Sequence, residues 1–413
     1  MTQTKTDNTL TGRAPKKILD NMLVLDADVH AHETPGSLAP YCAMPHRKSL
    51  EILERTPRRY LDVPGFAPIT PPYPPIPDAG GERRNTVTSA AQMRQDLDDL
   101  GVDVGVIFPD HFLLHPAIRP TDYAVALAHA YNHWLVEEWL SNSEDDGLRG
   151  VVLAPHHDPT AAAAEIRRYA SHKRVAGVFL PTSCVEPLWG NRRYDPVYEA
   201  AQETNLPVLF HSVTAFHTAF PFNLYCFDTA FGAHTVAHPF ALVANLVSLL
   251  ESGVPARFPN LKIAFTEGGI AWVPWIMLRL DKEYAERRRE VPWLKERPSH
   301  YIKRMFFATQ PIEEPEHMKD MATYLTLFDG ENNVMFASDW PHHDFDHPNK
   351  VLQIPVSDPI RRKLMGENAL RLFGERARGP KRKGAQQSRT GAGMDTRPGT
   401  GNGSVDGTQA GAT

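Results

Sequence analysis

Residues 24–33 read Val-Leu-Asp-Ala-Asp-Val-His-Ala-His-Glu. The stretch opens as an apolar strand and closes on a cluster of metal-type ligands. Side chains two apart on a strand share a face, so Asp28, His30 and His32 project together. Two imidazoles at that spacing can grip one cation, although His-x-His alone is a modest signal. Two partners stand far downstream, His211 and Asp339. The rest of the chain reads as a scaffold that returns them to His30 and His32. Asp28 shares the histidine face and suits a role in orienting a ligand. Asp26 reads as structural.

Working outward, the 413 residues are 42% hydrophobic and 23% charged, which fits a soluble globular protein of one large domain or two ordinary ones. The net charge of -5, without a basic stripe, disfavours nucleic acid as a partner. Cys42, Cys184 and Cys226 show no Cys-x-x-Cys spacing, which fits a reducing compartment and a cytoplasmic location. No apolar run approaches the ~18 residues of a membrane span, and no signal-peptide core opens the chain.

Residues 1–20 are expected to be a disordered leader, 21–375 the folded domain and 376–413 a disordered tail. Inside the domain, residues 33–88 form a long insertion, with prolines concentrated at Pro64–Pro77. Such a segment suits an active-site wall or cap, or a subunit contact. After it, strand-like and helix-like stretches alternate. Strands are expected at 22–32, 102–109, 148–154, 175–180, 207–211, 261–267, 302–308 and 334–338. Helices are expected at 89–100, 122–140, 159–172, 195–204, 239–252, 271–288, 314–327 and 358–373. Eight such units imply an α/β fold, a (β/α)8 TIM barrel with a Pro-rich insertion after strand one. The rival open sheet carries a Gly-rich turn after its first strand, where this chain has His-Ala-His-Glu.

Barrels place catalytic residues at the C-terminal ends of strands. There the chain has His30 and His32, His211, Glu267 and Asp339. Three imidazoles and a carboxylate suit one divalent metal ion, zinc first, with iron or manganese as alternatives. Such a metal lowers the pKa of bound water, and Asp339 is placed to carry the proton as a general base. Taken alone, His211 reads equally as a core histidine and Asp339 as a turn cap; it is their joint placement that favours a site. His342 and His343 follow Asp339 closely and are candidates for pocket lining. So are His111, His115, His156, His157 and His217, in loops on the same face. Trp189 and Phe216 suit a ring-bearing substrate, and Arg84 suits its carboxylate.

The chain resembles the amidohydrolase superfamily. It is most similar to the branch that holds aminocarboxymuconate semialdehyde decarboxylase and the resorcylate-type decarboxylases. The resemblance runs from about Val24 to Gly374. It rests on Asp28-Val-His30-Ala-His32, Pro207-Val-Leu-Phe-His211, the run from Ser252 through Lys262 to Glu267-Gly-Gly269, Ser338-Asp339-Trp-Pro-His342 and Glu367-Asn-Ala-Leu-Arg-Leu-Phe373. It implies a mononuclear metal held by His30, His32, His211 and Asp339, a small-molecule substrate and, as the family allows, a homodimer. Binuclear relatives use a carboxylated lysine after strand four; here that strand runs into Pro181-Thr182. The decarboxylases usually have a histidine before Gly-Gly at the end of strand six. This chain has Glu267, a carboxylate that can serve as acid or base if its pKa is raised, and that shifts the expectation toward hydrolysis. A metal-dependent hydrolase of an amide- or lactone-type substrate is therefore the first expectation. A metal-dependent non-oxidative decarboxylase is the second, and a non-catalytic binding barrel the third.

Overall fold

In a computed structural model the described residues are 19, 21–55, 86–142, 144–213 and 227–380. Arg84, Phe216, His217, Cys226, the Pro64–Pro77 run and most of the expected leader and tail lie outside them.

Eight strands form one sheet in chain order, every neighbouring pair parallel. They are β1 (Leu25–Ala31), β2 (Val104–Pro109), β3 (Leu148–Leu153), β4 (Val175–Pro181), β5 (Val208–His211), β6 (Ile263–Thr266), β7 (Phe306–Ala308) and β8 (Val334–Met335). Every strand residue is buried, as parallel strands covered on both faces must be. The main helices between them are α1 (Ala90–Leu100), α2 (Thr121–Trp134), α3 (Pro159–Tyr169), α4 (Asp195–Glu203), α5 (Ala230–Ser252), α6 (Trp272–Arg287) and α7 (Lys319–Leu327). The arrangement is the expected (β/α)8 barrel.

Local chemistry sets the helix ends. Ser89 caps α1 by accepting from the Gln92 amide, and Gly101 ends it in the left-handed region at φ 84°. Asp158 caps α3 through the Thr160 and Ala161 amides, with Pro159 in the first turn.

Several boundaries differ from the sequence reading. Residues 302–305 do not extend β7, because Pro298–Ile302 is a short helix. The insertion is partly helical, at Pro35–Leu38 and His46–Arg55, the first fixed by a reciprocal Thr34–Ser37 capping box. At the far end the chain stays in the fold beyond Arg376: Ala377 is buried and Arg149 donates to the Arg378 carbonyl. α5 starts at Ala230 instead of Pro239, because Thr229 caps it by accepting from the Gly232 amide. The extended α5 is long and apolar enough, by length and composition, to cross a membrane, which the sequence reading did not foresee. Leu242, Leu246, Leu249 and Leu250 bury one face of it in the barrel core, and its Asn245 donates to the Thr182 carbonyl.

The ring closes where β8 meets β1. Ala27 donates its amide to the Phe336 carbonyl at 3.0 Å, and Asp339 to Asp28 at 2.9 Å. His30 donates to Trp340 at 2.7 Å. Asp26 staples the same seam. Its Oδ1 accepts the Ser338 amide, 312 residues away in sequence, at 2.8 Å and the Asp28 amide at 3.2 Å. Burial pushes the Asp26 carboxyl up to about 7. Its structural role is as expected. Asp26→Ala leaves two buried amides without an acceptor and is expected to lower stability by about 1–3 kcal/mol. Asp26→Asn keeps a carbonyl acceptor and should cost less; chemical denaturation midpoints of the two variants test the order.

Candidate metal centre

The barrel seam brings four side chains into contact at the C-terminal mouth. His30 Nδ1 donates to the Pro109 carbonyl at 2.7 Å, which fixes the ring and turns Nε2 to the centre. There Nε2 lies 2.9 Å from Asp339 Oδ1 and 3.3 Å from Asp28 Oδ1. His211 Nδ1 donates to the Ser212 carbonyl at 2.6 Å, and its Nε2 lies 3.0 Å from Asp28 Oδ2. Asp28, His30, His211 and Asp339 are all at most 1% exposed. Asp28 with His30 and His211, and His30 with Asp339 and His342, each offer ligand atoms within 4.8 Å of one another.

His32, expected among the ligands, is in neither group. β1 ends at Ala31, the pairing with β2 is irregular between Asp26 and Val29, and the His32 amide has left the barrel to donate to the Val87 carbonyl. Its Nδ1 donates to Asp110 Oδ2 at 2.6 Å. Asp28 is the residue that joins His30 and His211 in the first group. Its place on the histidine face is the signal in the sequence for this position, which there reads only as orienting a ligand.

Burial opposes charge on His30 and His211. The flanking carboxylates prevail and raise both imidazoles well above their usual value. Burial likewise opposes ionisation of Asp339, but His342 and His30 hold it well below the carboxylate range. His342 donates from Nδ1 to Asp339 Oδ1 at 2.7 Å and stacks on His30 with centroids 4.1 Å apart. Although burial opposes its charge, Asp339 lifts His342 to about 10. Gln310, absent from the sequence reading, donates to Asp339 Oδ2 at 3.0 Å.

Glu267 sits beside this centre. Its Oε2 lies 3.0 Å from His211 Nδ1, and its Oε1 lies 3.4 Å from Nδ1 of His238 on α5. Burial is the largest influence on its carboxyl, which is pushed up to about 7. Glu267 and Asp339 both have left-handed backbone, at φ 57° and 62°. Such strain gathers at functional sites and is held by the surrounding fold, here through Gly268 donating to Gln310 and Asp339 to Asp28. Gly269 follows at φ 65°, where a Cβ would stand 2.8 Å from the Pro311 carbonyl oxygen, so the second glycine is required.

A supporting layer also escaped the sequence. Glu33, fully buried, accepts the Asp110 and Phe112 amides at 3.0 and 2.6 Å. It thereby positions Asp110, which holds His32 and stands 3.5 Å from His342 Nε2. His238 carries no sequence signal, because α5 was expected to begin after it.

The expected pocket residues divide. His343 lines a cleft of about 1090 Å³ together with His238, Gly268, Trp272 and Phe345. Trp189 is corrected to the interior: it is fully buried, donates Nε1 to the Pro181 carbonyl at 2.7 Å and packs on Tyr194. His115 and His157 hold the Ala124 and Ile118 carbonyls, and the His156 and His157 rings lie 3.9 Å apart.

Burial lowers His115 to about 3 and His156 to about 2. The unfolded chain takes up these protons near pH 6.5, so each neutral ring contributes stability that is complete above that pH and is lost as pH falls toward the folded value. Glu33 and Asp26 shift in the opposite sense, so the measurement must be a difference between variants. The stability advantage of the parent over His156→Asn is expected to shrink by up to about 1.4 kcal/mol per pH unit between pH 6 and 4. Denaturant midpoints at each pH read it.

Residues 27–374 match the family model described as amidohydrolase. The chain is 24% identical, over 62% of its length and 79% of the other, to a γ-resorcylate decarboxylase of Polaromonas sp.. Among solved structures, an amidohydrolase from Mycobacterium avium subsp. paratuberculosis superposes with TM-score 0.67 at 20% identity, covering 86% of this chain and all of that one. A dihydroxybenzoic acid decarboxylase from Polaromonas sp., solved with bound manganese and the inhibitor 2-nitroresorcinol, gives 0.62 at 17%, covering 85% and 97%. A barrel closed on a buried cluster of acids and imidazoles, matched over most of its length by one family model, makes this chain an enzyme of the amidohydrolase family.

Proposed function

We propose that this enzyme is a divalent-metal-dependent, non-oxidative decarboxylase of a small carboxylated phenol. The observation that carries the metal is the donor set. Asp28 and Asp339 supply two negative charges, His30 and His211 two imidazoles whose Nδ1 atoms are already committed to backbone carbonyls. Asp28 Oδ2 and His30 Nε2 are buried and meet their ion-pair partners, His211 and Asp339 respectively, without well-formed hydrogen bonds. A divalent cation matches both the charge and these inward-facing atoms, and would displace the protons the imidazoles otherwise hold. Asp28, His30, His211 and Asp339 would hold it. Manganese now stands ahead of zinc, because manganese is bound in the dihydroxybenzoic acid decarboxylase. When bound, the metal polarises substrate oxygens.

The first expectation, hydrolysis, is less well supported than the second. The curated relative is named a γ-resorcylate decarboxylase, and the chain offers two carboxylates of divergent acidity. Glu267, raised to about 7, can carry a proton near neutrality, while Asp339 stays ionised. Glu267 serves as the acid that protonates the ring carbon bearing the carboxylate. The bond to that carboxylate then breaks, its electron pair restores the aromatic ring and carbon dioxide leaves. His342 and Gln310 hold Asp339 in place through the step.

Two experiments test this reading. Asp28→Ala or His30→Ala should abolish the tightly bound manganese, measured by mass spectrometry of the purified chain, whereas His32→Ala should retain it. The reverse pattern would restore the His-x-His ligand pair. Manganese-loaded enzyme with γ-resorcylate or a related hydroxybenzoate should release carbon dioxide, and Glu267→Gln should lower that rate at least ~100-fold. Full activity in Glu267→Gln would remove Glu267 as the acid. Turnover of ester or lactone probes without carbon dioxide would return the enzyme to hydrolysis.

A further inference from the structure

A second cluster of potential ligands shares no residue with the centre, although His343 directly follows His342. His234, in the second turn of α5, faces His343 and Asp344 from the segment after β8. His234 Nε2 is 3.5 Å from Asp344 Oδ2, and His343 Nδ1 is 3.4 Å from Asp344 Oδ1. The three groups offer ligand atoms that all lie within 4.8 Å of one another. The two imidazole planes meet at 70° with centroids 5.7 Å apart, so they are not stacked. Asp344 Oδ2 is buried and makes no hydrogen bond. All three residues line the 1090 Å³ cleft.

We propose that His234, His343 and Asp344 form a second binding site for a divalent transition metal, on the wall of the cleft. Two imidazoles and one carboxylate suit manganese, iron or zinc, and three protein ligands leave coordination positions open. Water fills those positions, or the oxygen atoms of a molecule in the cleft. Burial pulls the His234 ring below its usual value, so a neutral imidazole faces the carboxylate. That is the form a metal takes and not the form that makes an ion pair. A cation here also ties the start of α5 to the segment after β8.

The test is metal stoichiometry of the full, tag-free chain, equilibrated with manganese or zinc and measured by mass spectrometry, with cobalt absorption as a second readout. Two equivalents are expected in the parent and one in His343→Gln, a substitution at a half-exposed residue that leaves the fold intact by circular dichroism. Asp28→Ala should retain the equivalent that His343→Gln loses. A parent with two equivalents, both kept in His343→Gln, overturns the second site. So does a parent with one equivalent that His343→Gln keeps. A single equivalent lost in His343→Gln but kept in Asp28→Ala supports the second site while removing the centre proposed above. Absence of any bound metal overturns both.

Discussion

The seam between β8 and β1 is the constraint on which the rest depends. Three backbone hydrogen bonds and the Asp26 staple close the barrel there, and the same bonds set the centre. The Asp339 amide donates to Asp28 and the His30 amide to Trp340, so two candidate ligands on β1 are aligned with the one after β8 by the act of closing the ring. The left-handed backbone at Asp339 is sustained by that closure, since a free chain would relax it. Fold and site are thus one set of interactions.

The second governing fact is electrostatic. Two carboxylates are buried completely with two imidazoles, in a place where an unpaired charge is expensive. Without a cation, protons on His30 and His211 balance Asp28 and Asp339, which is why both imidazoles are raised despite their burial. A divalent metal would supply the same balance with fewer bound protons. Glu267 lies just outside that balance, near enough to His211 to feel it and buried enough to stay protonated near neutrality. The separation of Asp339 from Glu267 in acidity comes from neighbours: His342 and His30 surround the first, while burial dominates the second.

His238 alters the meaning of Glu267. Where the decarboxylases usually have an imidazole at the end of strand six, this chain has a carboxylate in contact with an imidazole from α5. An acid–imidazole pair is therefore present, although its two members come from different elements. The extension of α5 back to Ala230 supplies both His238 and His234, so a single helix start connects the centre to the wall of the cleft.

By itself the sequence determined the barrel, because strand-helix alternation is local and each parallel strand announces itself as a buried apolar run. It also pointed to the groups that gather at the mouth, since His30, His211 and Asp339 stand at strand ends and strand ends face the mouth. Only the tertiary structure shows Asp28 packed against His30 and His211, and His32 paired with Asp110. That arrangement turns on where β1 stops pairing and on which carbonyl the His32 amide finds, long-range hydrogen bonds with no trace in a period-two pattern. Trp189 went to the interior for a similar reason: its indole found the Pro181 carbonyl, a partner fixed by packing. Asp110, Glu33, Gln310 and His238 were invisible for the same cause. Each acts through a partner distant in sequence, and such partners exist only once the barrel has closed.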